Sequence, residues 1–235
     1  MTKTITDLKL LDHTECARIC QQLDELQSQW IHRNPELPYY TLGAASYLDA
    51  AQNQALYTSQ AERYNPVLDE CFGWLFDRVG GVLAEHIGAP FMLAPEAARP
   101  GFHIFGFHRE FRKPIASIHF DRQHEDVPWQ NAHELDMTEL ISFTLPICLP
   151  LSGGGLHTWD LRWRDFSRID GMFAPELLAH WLPITYVPYE QGTLMVHSGN
   201  LLHQIAPAPA MQPGDRRITL QGHAIKRNGV YQLYW

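Results

Sequence analysis

Several features that would narrow the function at once are missing from this chain. No apolar run reaches the length of a membrane span, and the amino-terminal Met-Thr-Lys-Thr-Ile-Thr-Asp lacks the apolar core of a signal peptide. A cytoplasmic protein is the expectation. Cysteine is sparse: Cys16, Cys20, Cys71 and Cys148 lie in apolar surroundings without a Cys-x-x-Cys pair, so they read as buried, reduced thiols rather than zinc ligands. Basic residues are outnumbered, 18 against 26 acidic, for a net charge of −8. That balance speaks against a general attraction to nucleic acid or to an anionic membrane, although a local basic pocket stays open. No basic stretch interleaved with aromatics is present, nor any internal repeat or low-complexity tract.

What remains is ordinary globular material, 45% hydrophobic and 19% charged over 235 residues, which argues against disorder and fits one domain. Residues 1–90 read as a mainly helical buttress. Ile19, Leu23, Leu26 and Trp30 recur at helical spacing, predicting a helix over 13–30 capped by Thr14. A proline-bearing loop follows from Arg33 to near Asp49, and its aromatics, Tyr39 and Tyr40 among them, are either buried anchors or pocket lining. A second helix is predicted to begin at Asn65-Pro66 and end near Gly88, with Gly80-Gly81 marking a kink or a close approach.

From about residue 91 short β-rich runs dominate: 102–107, 115–120, 140–148, 155–160, 184–187, 193–196, 201–205, 217–223 and 230–235. Turn clusters such as Arg112-Lys113-Pro114 and Gln212-Pro213-Gly214-Asp215 separate them. The fold class is therefore mainly β with flanking helices, a double-sheet jelly roll or barrel. The Gly153-Gly154-Gly155 run has no Lys-Ser/Thr or helix start behind it and reads as a turn. Residues 123–138 and 161–180 interrupt the strands and are candidate lids.

The chemistry centres on Ile115-Ala116-Ser117-Ile118-His119-Phe120-Asp121. In an extended chain, residues i and i+2 share a face at roughly 6.5 to 7 Å, so His119 and Asp121 can converge on one metal ion. Two histidines and one carboxylate bind one face of an octahedral metal and leave positions open, the pattern of non-haem Fe(II) oxygenases. The third ligand should come from 192–205, where a hairpin turn at Ser198-Gly199-Asn200 would place either His203 or His197 near the pair; His203 is the favoured choice. Further on, alternation sets Arg217, Thr219, Gln221 and His223 on one face of a strand and Arg216, Ile218 and Leu220 on the other. An inward arginine asks for an anion, and a carboxylate fits its planar fork, with the Thr219 hydroxyl beside it. Which of Arg216 and Arg217 turns inward stays open in the sequence.

His119-x-Asp121, a distal His203 and Arg217-x-Thr219 fourteen residues beyond it resemble, in that order, the motifs of the Fe(II)- and 2-oxoglutarate-dependent oxygenases. The resemblance covers about half the chain, residues 100–223; the first 90 match no motif. It implies a double-stranded β-helix, Fe(II) held by His119, Asp121 and His203, and 2-oxoglutarate on the metal with its far carboxylate on Arg217 and Thr219. It further implies O2 as oxidant, succinate and carbon dioxide as by-products, and hydroxylation of a small molecule such as an amino acid derivative or a biosynthetic metabolite. Asp121 speaks against halogenation, since halogenating members usually lack the carboxylate ligand.

Substrate candidates are His103 and Phe105, which share a face with Phe107, then Gln123 and Trp129 in the first lid, and Trp159, which follows His157 on a bordering strand. His103 reads equally as pocket wall or core histidine, and packing is the plain reading of the phenylalanines. His108, His133 and His180 have no supporting pattern and read as solvated. Two other functional classes compete: a cupin-like metal enzyme that does not use 2-oxoglutarate, and a non-enzymatic jelly-roll binding module.

Overall fold

The computed structural model describes residues 5–114, 116–169 and 174–235. Strand β1 (Ile5–Lys9) leads into helix α1 (His13–Glu25). The cap is Asp12 and not Thr14: its carboxylate accepts the Glu15 N–H at 2.8 Å while the Glu15 side chain takes the Asp12 N–H at 2.9 Å. The helix ends well before Trp30, and a 3-10 turn over Gln27–Gln29 follows. Strands β2 (Ile31–His32) and β3 (Tyr39–Leu42) and the single turn α2 (Ser46–Asp49) occupy the expected loop.

Helix α3 (Gln54–Ile87) starts about a dozen residues before the predicted Asn65-Pro66 and carries Pro66 in its interior. Proline there sacrifices one helical hydrogen bond. The helix continues because Tyr57, Ala61 and Tyr64 before Pro66 and Leu68, Phe72 and Leu75 after it are all buried, and packing overrides the local preference. Asn53 is the cap, its side chain accepting the Ala55 N–H at 2.8 Å. Asn65 instead ties down another loop, donating to the Ala97 carbonyl at 3.0 Å and accepting the Arg99 N–H at 2.9 Å. Gly88 closes the helix in the left-handed conformation, φ 75°.

The β-rich part supplies β4 (Phe91–Leu93), β5 (Gly101–Phe105), β6 (Leu135–Cys148), β7 (Gly155–Arg162), β8 (Thr185–Pro188), β9 (Thr193–Ser198), β10 (Leu201–Ile205), β11 (Arg217–Arg227) and β12 (Val230–Tyr234). Two short helices, α4 (Trp163–Phe166) and α5 (Pro175–Ala179), lie between β7 and β8. The larger sheet runs β1-β9-β6-β11-β5-β3-β2, with β12 pairing both β11 and β4; the smaller runs β10-β7-β8. All pairings are antiparallel except β12 with β4. This is an open jelly roll, and the amino-terminal residues belong to it, because β1, β2 and β3 extend its larger sheet.

Alternation gives the larger sheet two faces with different chemistry. Ile218 and Leu220 of β11, Phe143, Leu145 and Ile147 of β6, and Phe102 and Ile104 of β5 join Cys16, Ile19 and Leu23 of α1 and Phe72, Leu75 and Val79 of α3 in one core. The helices thus cover the outer face. The inner face turns Arg217, Gln221, His223, Ser142, Thr144 and His103 toward the smaller sheet, where they line a cavity together with Leu156 and His203.

Two expectations change. Residues 116–120 do not form a strand: pairing is a single bridge in which His119 and His203 exchange backbone hydrogen bonds at 3.0 Å. Ile115, at the head of that run, lies outside the described residues. Ser198-Gly199-Asn200 is not a hairpin but the corner where the chain leaves the larger sheet for the smaller, since β9 and β10 belong to different sheets. Gly199 lets the backbones approach closely there: a Cβ would sit 3.2 Å from the Asp121 carbonyl and from Ser142 Oγ, tight enough that a neighbour would have to give. Its own carbonyl accepts the Asp121 N–H at 2.8 Å, pinning the ligand-bearing segment to the corner. Among the described residues no helix is long and apolar enough to cross a membrane.

Candidate active site

The bridge and the corner bring His119, Asp121 and His203 together. One ligand atom from each lies within 4.8 Å of the others, and among the described residues this is the one such cluster. His119 Nε2 is 3.5 Å from Asp121 Oδ1, and His203 Nε2 is 3.5 Å from Asp121 Oδ2. Each imidazole turns its other nitrogen to a carbonyl, His119 Nδ1 to Ser117 at 3.0 Å and His203 Nδ1 to Leu201 at 2.9 Å. Donation from Nδ1 leaves Nε2 unprotonated and facing the centre, as a metal requires. Gln123 Nε2 donates to Asp121 Oδ1 at 3.0 Å and orients the carboxylate.

Electrostatics favour the same state at Asp121 and His203. Burial opposes ionisation of Asp121, yet His203, His119 and His223 around it hold its pKa well below the usual carboxylate range. Burial pushes His203 down to about 3, against the pull of Asp121 and with help from the neighbouring histidines, so it is neutral near pH 7. At His119 burial also works against protonation, but the hydrogen bond and charge of Asp121 raise it overall. Two imidazoles and a carboxylate converging with their ligand atoms inward fit Fe(II).

Arg217, not Arg216, faces the cavity. Arg217 is 5% exposed, whereas Arg216 lies on the outer face and pairs with Asp24 of α1. The Arg217 guanidinium sits between the rings of Tyr189, 5.4 Å, and Phe105, 5.6 Å, and its Nε and Nη2 are buried with no hydrogen-bond partner. The Tyr189 hydroxyl is likewise buried, close to Arg217 and Thr144 but with no well-formed hydrogen bond. A buried cation with idle donors is costly unless an anion meets it, so this end of the cavity is shaped for a carboxylate. Thr219 is fully buried with its hydroxyl 3.5 Å from Gln221 Nε2 and does not line the cavity.

The cavity has a volume of about 650 Å³, within the range of small-molecule sites. Of the substrate candidates, His103, Phe105 and Gln123 line it and Trp129 and Trp159 do not. Trp129 packs edge-on against Tyr234, with its indole N–H on the His124 carbonyl at 2.8 Å, because the first lid folds back on the carboxy-terminal strand. Trp159 is 2% exposed on the outer face of the smaller sheet, packed with Phe120, Ala179 and Leu202. Phe107 packs with Phe111 and Met211 at the rim.

Other wall residues carried weaker signals. Tyr39 is wall, and its hydroxyl meets that of Tyr47 at 2.8 Å; Tyr47 in turn bonds His103 Nε2. Burial, with Arg217 nearby, pushes His103 well below its ordinary pKa. Arg33 and Asp49 brace this row as a buried ion pair at 2.6 Å. His197, the alternative ligand, is wall as well, its ring 4.8 Å from that of His203. His223 could be found from the alternation that located Arg217; Tyr189 and Tyr47 lie where no periodicity points.

No protein-family model and no curated protein sequence matches this chain. Solved structures do match. An N-substituted L-amino acid dioxygenase from Burkholderia ambifaria AMMD, in complex with alpha-ketoglutarate, is 14% identical over 99% of this chain and 86% of its own, with a TM-score of 0.57. AviO1 from Streptomyces viridochromogenes Tue57 is 12% identical over 96% and 90%, TM-score 0.53. The non-heme alpha ketoglutarate dependent epimerase SnoN from nogalamycin biosynthesis is 12% identical over 96% and 81%, TM-score 0.51. At these identities the likeness establishes a shared fold over nearly the whole chain.

Proposed function

We propose that the chain is an Fe(II)- and 2-oxoglutarate-dependent oxygenase that hydroxylates a small molecule, such as an amino acid derivative or biosynthetic metabolite. The observation that carries the reading is the pairing, in one cavity, of an inward-facing His-Asp-His cluster with a buried guanidinium whose Nε and Nη2 have no hydrogen-bond partner. The fold shared with an alpha ketoglutarate dependent epimerase and with an amino acid dioxygenase in complex with alpha-ketoglutarate supports it. His119, Asp121 and His203 would hold Fe(II); bound with 2-oxoglutarate it would supply O2 activation, converting the co-substrate into succinate and carbon dioxide.

The chain's own residues do the rest. Ser117 and Leu201 carbonyls fix the two imidazole tautomers, and Gln123 fixes the carboxylate. Arg217 takes the far carboxylate of 2-oxoglutarate, flanked by Phe105 and Tyr189, which keep water off the pair. The Tyr189 hydroxyl, buried beside Arg217, would add a second hydrogen bond in place of the one expected from Thr219.

Anaerobic protein mixed with Fe(II) and 2-oxoglutarate should develop a visible charge-transfer band that His203→Ala abolishes. Air should then yield succinate. Folded, iron-loaded protein that neither binds 2-oxoglutarate nor forms succinate would rule the reading out. Turnover without 2-oxoglutarate would instead mark a cupin-like metal enzyme, and ligand binding with no iron affinity a binding module.

A further inference from the structure

The chain immediately after Asp121 forms one 3-10 turn over Gln123–Glu125, with Arg122 at its start and Asp126 at its end. The turn is closed by Glu125 N–H donating to the Arg122 carbonyl at 3.0 Å and Asp126 N–H to that of Gln123 at 3.1 Å. Its middle is buried and held: Gln123 bonds Asp121, the His124 carbonyl takes the Trp129 indole, and Gln54 donates to the Asp126 carbonyl at 3.0 Å. Arg122 and Asp126 are therefore set at a fixed offset from the metal-facing carboxylate. Both line the cavity.

Their charges are poised for a ligand. The Arg122 guanidinium lies over Trp163, 4.2 Å from its ring centre, a cation–π contact. It pairs with Glu125, whose side chain is 54% exposed, and its Nε is buried without a partner. With Glu125 more than half exposed, water competes for its carboxylate and a ligand carboxylate can displace it from Arg122. The Asp126 carboxylate is engaged by no hydrogen bond or ion pair among the described residues. Leu37, Phe111 and Met211 add apolar wall elsewhere in the cavity.

We propose that this turn is the substrate-recognition element and that it takes a zwitterion, an amino acid or a molecule with the same charge pattern and an apolar side chain. The carboxylate binds Arg122 and the ammonium binds Asp126, with Glu125 released beside it. A plain anion would meet two acidic groups and a plain cation would meet Arg122, so only the paired charges satisfy both ends. The identity of the molecule as a substrate rests on the oxygenase reading; its recognition does not.

The test is calorimetric titration of metal-free protein, without 2-oxoglutarate, with four probes sharing one scaffold: 2-amino-4-phenylbutanoate, 4-phenylbutanoate, 3-phenylpropylamine and 4-phenylbutanamide. The zwitterion should bind at least about tenfold more tightly than either singly charged probe, the step that one well-placed charge pair supplies. Arg122→Gln should erase its advantage over the amine, and Asp126→Asn its advantage over the anion. Glu125→Gln should tighten both carboxylate-bearing probes several-fold, a gain that a folding defect cannot mimic. Equal affinities for the four, no binding by any of them, or a zwitterion preference over the amine that survives Arg122→Gln would overturn the proposal. Because neither iron nor co-substrate is present, such a failure leaves the oxygenase reading standing. Conversely, intact charge selectivity without succinate formation rejects that reading and keeps the subsite.

Discussion

Arg217→Met separates what the guanidinium does for the fold from what it does for a ligand, and the two effects should have opposite signs. In the free protein Arg217 is buried, with Nε and Nη2 unpartnered, and burial lowers its pKa against the pull of Tyr189. Replacing a buried charge by an apolar side chain of similar volume is often neutral or stabilising by about 1–4 kcal/mol, so the ligand-free Tm should stay level or rise. With 2-oxoglutarate the balance inverts. Wild type with Mn(II) as a redox-inert metal and ligand at about 100 times its Kd gains about 2.7 kcal/mol, a Tm rise of about 5–11 °C for a chain of this size. Losing one side of a buried charge pair costs about 2–5 kcal/mol, or about 30-fold to several-thousandfold in Kd. The same ligand concentration then leaves the variant about 0.9 kcal/mol at most, a shift of about 2–4 °C or less. Differential scanning fluorimetry with Mn(II) alone as reference reads both effects. A 2-oxoglutarate shift of full size in Arg217→Met would refute the carboxylate assignment, and a ligand-free Tm several degrees below wild type would refute the claim that the guanidinium is idle.

Gln123→Leu removes the hydrogen bond that orients Asp121, so Mn(II) affinity should fall about 10- to 100-fold with the far-ultraviolet dichroism unchanged; an unaltered titration would contradict this. Gly101→Ala would place a Cβ 2.1 Å from the Trp235 ring and 2.8 Å from the Leu42 carbonyl. Overpacking of that kind costs about 1–3 kcal/mol, and a wild-type urea midpoint would be inconsistent with it. His124 is 1% exposed with both ring nitrogens unpartnered, and burial pushes its pKa down to about 4. The unfolded chain, with a pKa of about 6.5, then binds more protons between the two values, so His124's contribution to stability falls as pH drops from about 6.5 to about 4. His124→Leu should flatten that part of the Tm–pH curve relative to wild type, and parallel curves would show that its titration does not matter.

The jelly-roll class was legible because alternation is a local property that survives folding. The same is true of β10, whose predicted bounds 201–205 are those observed. His119, Asp121 and His203, by contrast, converge through an isolated bridge and a corner between the sheets, not through the strand and hairpin that the sequence suggests. Local rules failed where tertiary packing competes with them. Asn65-Pro66 reads as a helix start, yet buried Tyr57, Ala61 and Tyr64 carry α3 back to Asn53. The Ser198-Gly199-Asn200 turn reads as a hairpin, but β10 pairs with β7 in the other sheet, a long-range contact that no local pattern encodes, and Asp121 docks on the Gly199 carbonyl at the corner.

By itself the sequence determined which side chains share a face of β11: Arg217 with Gln221 and His223 follows from backbone geometry alone. Only the tertiary structure decided which face is inside. Arg216 and Arg217 are equivalent in sequence, and the difference arises because α1 packs on the outer face, bringing Asp24 to Arg216 and leaving Arg217 to the cavity. Trp129 and Trp159 left the cavity for the same physical reason, since large rings go where the most apolar surface is covered, here against Tyr234 and Phe120. Tyr189, which clamps Arg217, comes from a segment with no periodicity, placed by contacts made far away in the chain.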